Sequence, residues 1–204
     1  MPRSMSPARI LRAAADAGII PVDAEISPKG EARWQANALS SVAWLAKDAT
    51  GGLLWHVNTG DAKFGPALEK FGGLSVPIRS QIDDSLAWPA TFSEEFAAVM
   101  RSTLGMGAVF VEGRADLCGL LAERHDVARA GVHAWLPTAN YPARLVQALI
   151  LARDIQSADL ESITLERLNG PTIELSNGRI MDIMTSAKEW AKRYSKALQV
   201  EISI

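Results

Sequence analysis

Cysteine is all but missing from this chain. Cys118 is the single one among 204 residues, so no disulfide framework can form within one molecule, and no second thiol stands at the CxxC spacing of a thiolate metal site. The expectation is a reducing, cytoplasmic compartment. Histidine is scarce too: His56, His125 and His133 are the only three, none in an HExxH pattern, so no metal site is predicted. No apolar run is long enough to span a bilayer, and the first 17 residues carry Arg3, Arg9 and Arg12 without an uninterrupted apolar stretch, so neither a membrane partner nor a secretory signal is expected. The glycine patterns that wrap phosphates, GxGxxG and GxxxxGK, are absent, as is the GxSxG nucleophile elbow, and no cofactor is predicted. A net charge of -2 supplies no general attraction for polyanions and disfavours nucleic acid as a partner, although it is compatible with a local basic patch.

What is present suits a folded chain. Hydrophobic residues make up 48% and charged residues 22%, close to globular averages. The length fits one globular domain over residues 1–204, with a possible subdivision into a helix-rich α/β part, 1–157, and a second part, 158–204.

Local signals place the elements. Ser6-Pro7 reads as an N-cap with proline in the first turn, opening a helix that stops at Gly18. Ser27-Pro28 repeats the device, and Trp34, Ala38, Val42 and Leu45 fall on one helical face, which predicts a helix to about Lys47. After Gly51-Gly52, Leu53–Val57 reads as a buried strand, and Asp61 as the cap of a helix ending at Gly72-Gly73. Ser93 with Glu94 and Glu95 starts a helix over about 94–104. Ala108–Val111 is a second apolar run, followed by a helix from Asp116 to about His125. Leu74–Ile78 and Val132–Leu136 are further strand candidates, which makes two βαβ crossovers the expectation. An offset of 55 residues aligns Gly52 with Gly107 and Asp61 with Asp116, a weak hint of an internal repeat.

Residues 142–156 form the most apolar helical pattern and should be the most buried helix. Beyond it, Ile163–Leu168, Thr172–Leu175 and Arg179–Met184 are divided by Asn-Gly turns and read as an antiparallel meander. A helix over about 186–198 and a final alternating strand, Val200–Ile204, complete the chain. The fold class expected is therefore α+β or mixed α/β: helices with short buried strands in the first three quarters, then a β-meander, a helix and a last strand.

Three groups of residues bear on chemistry. His56 near a strand end, with Asp61 and Lys63 just beyond, offers a base and a cation where strand-to-helix loops gather functional groups. His133, Trp135, Asn140 and Tyr141 crowd a loop around Pro137, and Arg144 sits in a first helical turn where the dipole disfavours a cation, so a carboxylate or an anionic ligand is expected to hold it. The adjacent His125-Asp126 reads as an ordinary helix end, Cys118 as a core residue, and Lys188, Lys192 and Lys196 as a solvated basic face.

Two functions compete. Surplus tryptophan, six residues in all, points to a non-enzymatic protein–protein interaction or assembly factor of the adaptor, chaperone or immunity type, with Trp44 and Trp88 as interface anchors and a protein partner or self-association implied. The alternative is a small-molecule-binding enzyme with a pocket near His56, Asp61, His133 and Arg144, with His56, Asp61 and His133 as candidate catalytic groups and Lys63, Trp135, Asn140, Tyr141 and Arg144 as candidate ligand contacts.

Overall fold

Alternating side chains on two strands joined by a tight turn begin the architecture. In the computed structural model, which describes residues 4–47, 53–82, 88–108, 111–129 and 132–204, the chain from Glu31 to Lys47 is a β-hairpin. Strands β2 (Glu31–Ala36) and β3 (Leu39–Lys47) meet through Asn37 and Ala38, both at positive φ (51° and 61°). Two residues of that conformation match the twist of paired strands. The helix expected over this stretch is therefore overturned. Leu39, Ser41, Ala43 and Leu45 are buried while Ser40, Val42, Trp44 and Ala46 are half-buried, a period of two. The helical spacing of Trp34, Ala38, Val42 and Leu45 is a coincidence of an alanine-rich segment in which both strand faces carry apolar residues.

The hairpin belongs to a seven-stranded sheet in the order β1-β2-β3-β4-β5-β7-β6, antiparallel at every pairing, with β1 (Glu25–Ile26), β4 (Leu53–Asp61), β5 (Ser75–Ile82), β6 (Val127–Arg129) and β7 (Val132–Ala134) as its other members. This corrects the expected order of elements: strands dominate the first part and helices the later part, although the α+β class holds. It also removes the first of the two parallel crossovers, because β4 and β5 pair antiparallel and a 3₁₀ turn, Pro66–Phe71, joins them. The 55-residue offset relates unlike elements, since Asp61 ends a strand and Asp116 lies in the first turn of a helix. Gly51, Gly52, Val109 and Phe110, where a helix break and part of a strand were expected, lie outside the described residues.

Helices cover one face. Helix α1 (Pro7–Asp16), capped by the Ser6 hydroxyl accepting from the Arg9 amide, and helix α2 (Glu94–Ala108), capped by the Ser93 hydroxyl accepting from the Phe96 amide, pack over the β1–β5 region. Their buried residues Ile10, Leu11, Phe96 and Met100 form a cluster with Ala43, Leu45, Leu53 and Trp55. The second cluster is built on α4 (Tyr141–Asp154), whose residues from Tyr141 to Ala152 are all buried. Around it lie α3 (Arg114–Ala122), α5 (Ala158–Leu168) and α6 (Ile183–Leu198), and the cluster reaches the sheet at Val76, Ile78 and Ala134. Both clusters draw on the same sheet face.

The C-terminal meander is only partly present. Strands β8 (Thr172–Glu174) and β9 (Ile180–Asp182) form a hairpin as expected from Ser176-Asn177-Gly178, but Ile163–Leu168 is part of α5, capped by Ser157. Among the described residues, 199–204 pair with no strand; the Ile202 amide donates to the Ser195 hydroxyl and Arg153 donates to the Ser203 carbonyl, which lays the tail along the helices. Among the described residues no helix is long and apolar enough to cross a membrane.

Candidate functional site

Antiparallel register carries side chains at paired positions to the same face. The pairs Glu31↔Trp44, Trp44↔His56, His56↔Arg79 and Arg79↔His133 therefore draw one row across β2, β3, β4, β5 and β7. This is the face opposite the helices: Ala43, Leu45, Trp55, Val76, Ile78 and Ala134 occupy the inner positions, and neither buried cluster includes a residue of the row. Trp44 and His56 stack with ring centroids 5.1 Å apart and planes within 6°. Arg79, exposed, lies over the indole of Trp135 at 4.3 Å from the ring centre. Burial, and secondarily the Arg79 charge, lowers the His56 pKa below its ordinary 6.5.

Where this outer face meets α4 and α6, the surface closes into a cavity of about 390 Å³. Trp44, Asn58, Pro77, Arg79 and Trp135 line it from the sheet; Asn140, Ala143, Arg144 and Gln147 line it from α4 and its approach; Phe71, Trp190 and Tyr194 close the far side. Phe71, Trp190 and Tyr194 pack mutually, with centroids 5.5–6.1 Å apart. The Gln147 amide donates to the Gly73 carbonyl and to the Tyr194 hydroxyl, which fixes that wall. Among the described residues that line the cavity, the charged side chains are Arg79 and Arg144, both cations.

Arg144 is 6% exposed. Its terminal nitrogens donate to the carbonyls of Leu121 (3.0 Å), Glu123 (2.6 Å) and Leu136 (3.3 Å), and its Nε has no partner among the described residues. Two of those carbonyls belong to the end of α3, the negative end of its dipole, which offsets the unfavourable placement in the first turn of α4. Burial lowers its pKa to about 10, against the through-space attraction of Tyr141, Asp126 and Glu123. No carboxylate is hydrogen-bonded to it among the described residues.

The other expected site residues fall elsewhere. Asp61 is five residues beyond His56 on the same strand, hence on the opposite face and about 17 Å along it. Its side chain is fully buried: Oδ1 accepts from the Lys63 and Phe64 amides, and Oδ2 from Arg114 Nε at 2.6 Å. Arg114 also pairs with Asp154 at 2.7 Å, and Lys63 with Asp154 from the other side, so Asp61 and Lys63 belong to an ion network joining the end of β4 to α3 and α4. His56 and His133 share the outer face with Arg79 between them, two strand spacings or about 10 Å apart; His133 is exposed. Tyr141 is buried with its ring 5.4 Å from the Arg144 guanidinium. Trp88 is half-buried, its indole N–H donating to the Met5 carbonyl and Lys47 lying over its ring. His125 and Asp126 are both exposed, and the Asp126 carboxylate accepts the Leu136 amide. Cys118 is buried, with burial raising its thiol pKa to about 11. Among the described residues no three histidine, cysteine or acidic side chains gather as a metal site.

Arg79, Phe71 and Trp190 are cavity residues that the sequence did not single out. Arg79 becomes visible only through its register opposite His56 and His133. The fold and the site together define an α+β protein on a one-sided antiparallel sheet, with an aromatic, cation-lined cavity at the margin of the free face. Comparison of the chain with protein-family models, with curated proteins and with solved structures finds no match.

Proposed function

We propose that this chain is a non-enzymatic recognition protein whose ligand docks in the cavity between the outer sheet face and helices α4 and α6. The observation that carries the reading is the joining of half-exposed aromatic rings, Trp44, Trp135 and Trp190, to one cavity of about 390 Å³ where the outer sheet face meets α4 and α6. That volume falls within the roughly 300–1,000 Å³ typical of small-molecule sites. Of the two anchors expected for an interaction protein, Trp44 lines this cavity, whereas Trp88 is tied to Met5. The enzyme alternative has less support, because Asp61 is engaged by Arg114 on the other face and Arg144 by backbone carbonyls.

The six tryptophans supply the test. Trp44, Trp135 and Trp190 line the cavity, and Trp34, Trp55 and Trp88 do not. In the nitrogen-15 spectrum of the full chain titrated with small aromatic compounds, the indole signals of the first three are expected to shift while the others hold still. Shifts spread over Trp34, Trp55 and Trp88, or none with any compound at millimolar concentration, would overturn the reading.

A further inference from the structure

Resting on that reading, we infer that the ligand is a small planar aromatic carboxylate. The walls favour a ring: Trp44, Trp135 and Trp190 line the cavity, and aromatic side chains gain offset or edge-to-face contacts with another ring that a branched aliphatic group does not offer. The charges select an anion, since Arg79 and Arg144 are the charged side chains among the described lining residues.

The two arginines are unlike in a way that bears on the ligand. Arg144 is nine-tenths buried, bonded only to neutral carbonyls, and keeps an unpartnered Nε, so its charge is answered by Asp126 and Glu123 only through space. A buried cation without a hydrogen-bonded counter-ion gains most from an anion arriving beside it. Arg79 holds its guanidinium carbon 4.3 Å from the Trp135 ring centre and makes no ion pair among the described residues. A guanidinium held over a ring keeps N–H groups for a carboxylate, whose two oxygens match its fork. The first turn of α4, at Asn140 and Ala143, adds the positive end of a helix dipole to the same wall. The ring is placed against the cavity's indoles and its carboxylate on Arg79.

The test compares naphthalene-2-carboxylate, the uncharged naphthalene-2-carboxamide, acetate and inorganic phosphate by calorimetry on the full chain, with the indole signals locating the binding. The carboxylate is expected to bind about tenfold or more tighter than the carboxamide, and acetate and phosphate far more weakly than either. Arg79→Gln, at an exposed position, is expected to weaken the carboxylate about tenfold and the carboxamide by less, so that the gap between the two closes; Arg79→Lys should fall between. Equal binding of acid and amide at the three cavity indoles would overturn this inference and leave the recognition reading standing. Failure of both compounds to move those indoles would overturn both. Tighter binding of phosphate, or of a peptide with a free C-terminal tryptophan carboxylate, would also overturn it, moving the ligand to a different class.

Discussion

Removing the carboxylate of Asp61 is expected to destabilise the fold by about 3–5 kcal/mol, the range for a buried ion pair that loses one member. The side chain has no exposure and serves three donors: two backbone amides, from Lys63 (3.1 Å) and Phe64 (2.7 Å), and Arg114 Nε (2.6 Å). A bond to a charged group is worth about 1.5–3 kcal/mol, and an oxygen that satisfies loop amides acts like a helix cap, worth about 0.5–2 kcal/mol. Arg114 keeps its second partner, Asp154, so Asp61→Ala does not leave the cation alone and should fall at the lower end. Asp61→Asn separates the two parts. Its amide oxygen can still receive the Lys63 and Phe64 amides, so the cost should be about 2–3 kcal/mol and reflect the Arg114 bond alone. Urea unfolding of Asp61→Ala, Asp61→Asn, Arg114→Met and the double variant Asp61→Ala/Arg114→Met supplies the measurement. A loss under about 1 kcal/mol for Asp61→Ala, or additive losses in the double variant where a coupling of about 1.5–3 kcal/mol is expected, would refute the reasoning.

Three further outcomes follow from the same geometry. The Lys63 hydrogen bond first, and the Arg114 bond with it, hold the Asp154 carboxyl below its ordinary 3.8; a lowered folded value means that the unfolded chain takes up the proton more readily. Its contribution is thus complete above about pH 4 and lost as the pH falls through the folded value, so urea midpoints should drop with acid in the parent chain and less steeply in Asp154→Asn. His56, depressed by burial and then by Arg79, should titrate below 6.5 in a proton spectrum, and Arg79→Gln should move its midpoint upward. Cys118, with its thiol raised to about 11 by burial, should resist a disulfide reagent at pH 8 in the native chain and react promptly in urea; prompt native reaction would contradict its place under α4.

Three helices were legible where a cap or an apolar face marked them. Ser6-Pro7, Ser93 with its acidic first turn, and the apolar run over 142–156 each predicted a helix that is present. The hairpin from Glu31 to Lys47 was not legible, because Asn37-Ala38 lacks the glycine that usually marks such a turn and alanine on both faces hides the alternation. Ile163–Leu168 was read as a strand because its β-branched and apolar residues fit either state; packing on α4 settled it as helix. Of the loop expected to line a pocket, Trp135, Asn140 and Arg144 do share one cavity, but Arg79, the cation that faces Trp135, lies more than fifty residues earlier and carried no local mark.

By itself the sequence determined what depends on neighbours along the chain: the starts of α1, α2 and α4, the Asn-Gly turn of the small hairpin, and the burial of α4. Tertiary structure alone decided which strands pair and in what register, because a strand's hydrogen bonds lie with partners distant in sequence. That register sets Trp44, His56, Arg79 and His133 side by side on the free face and sends Asp61, five residues from His56, to the other.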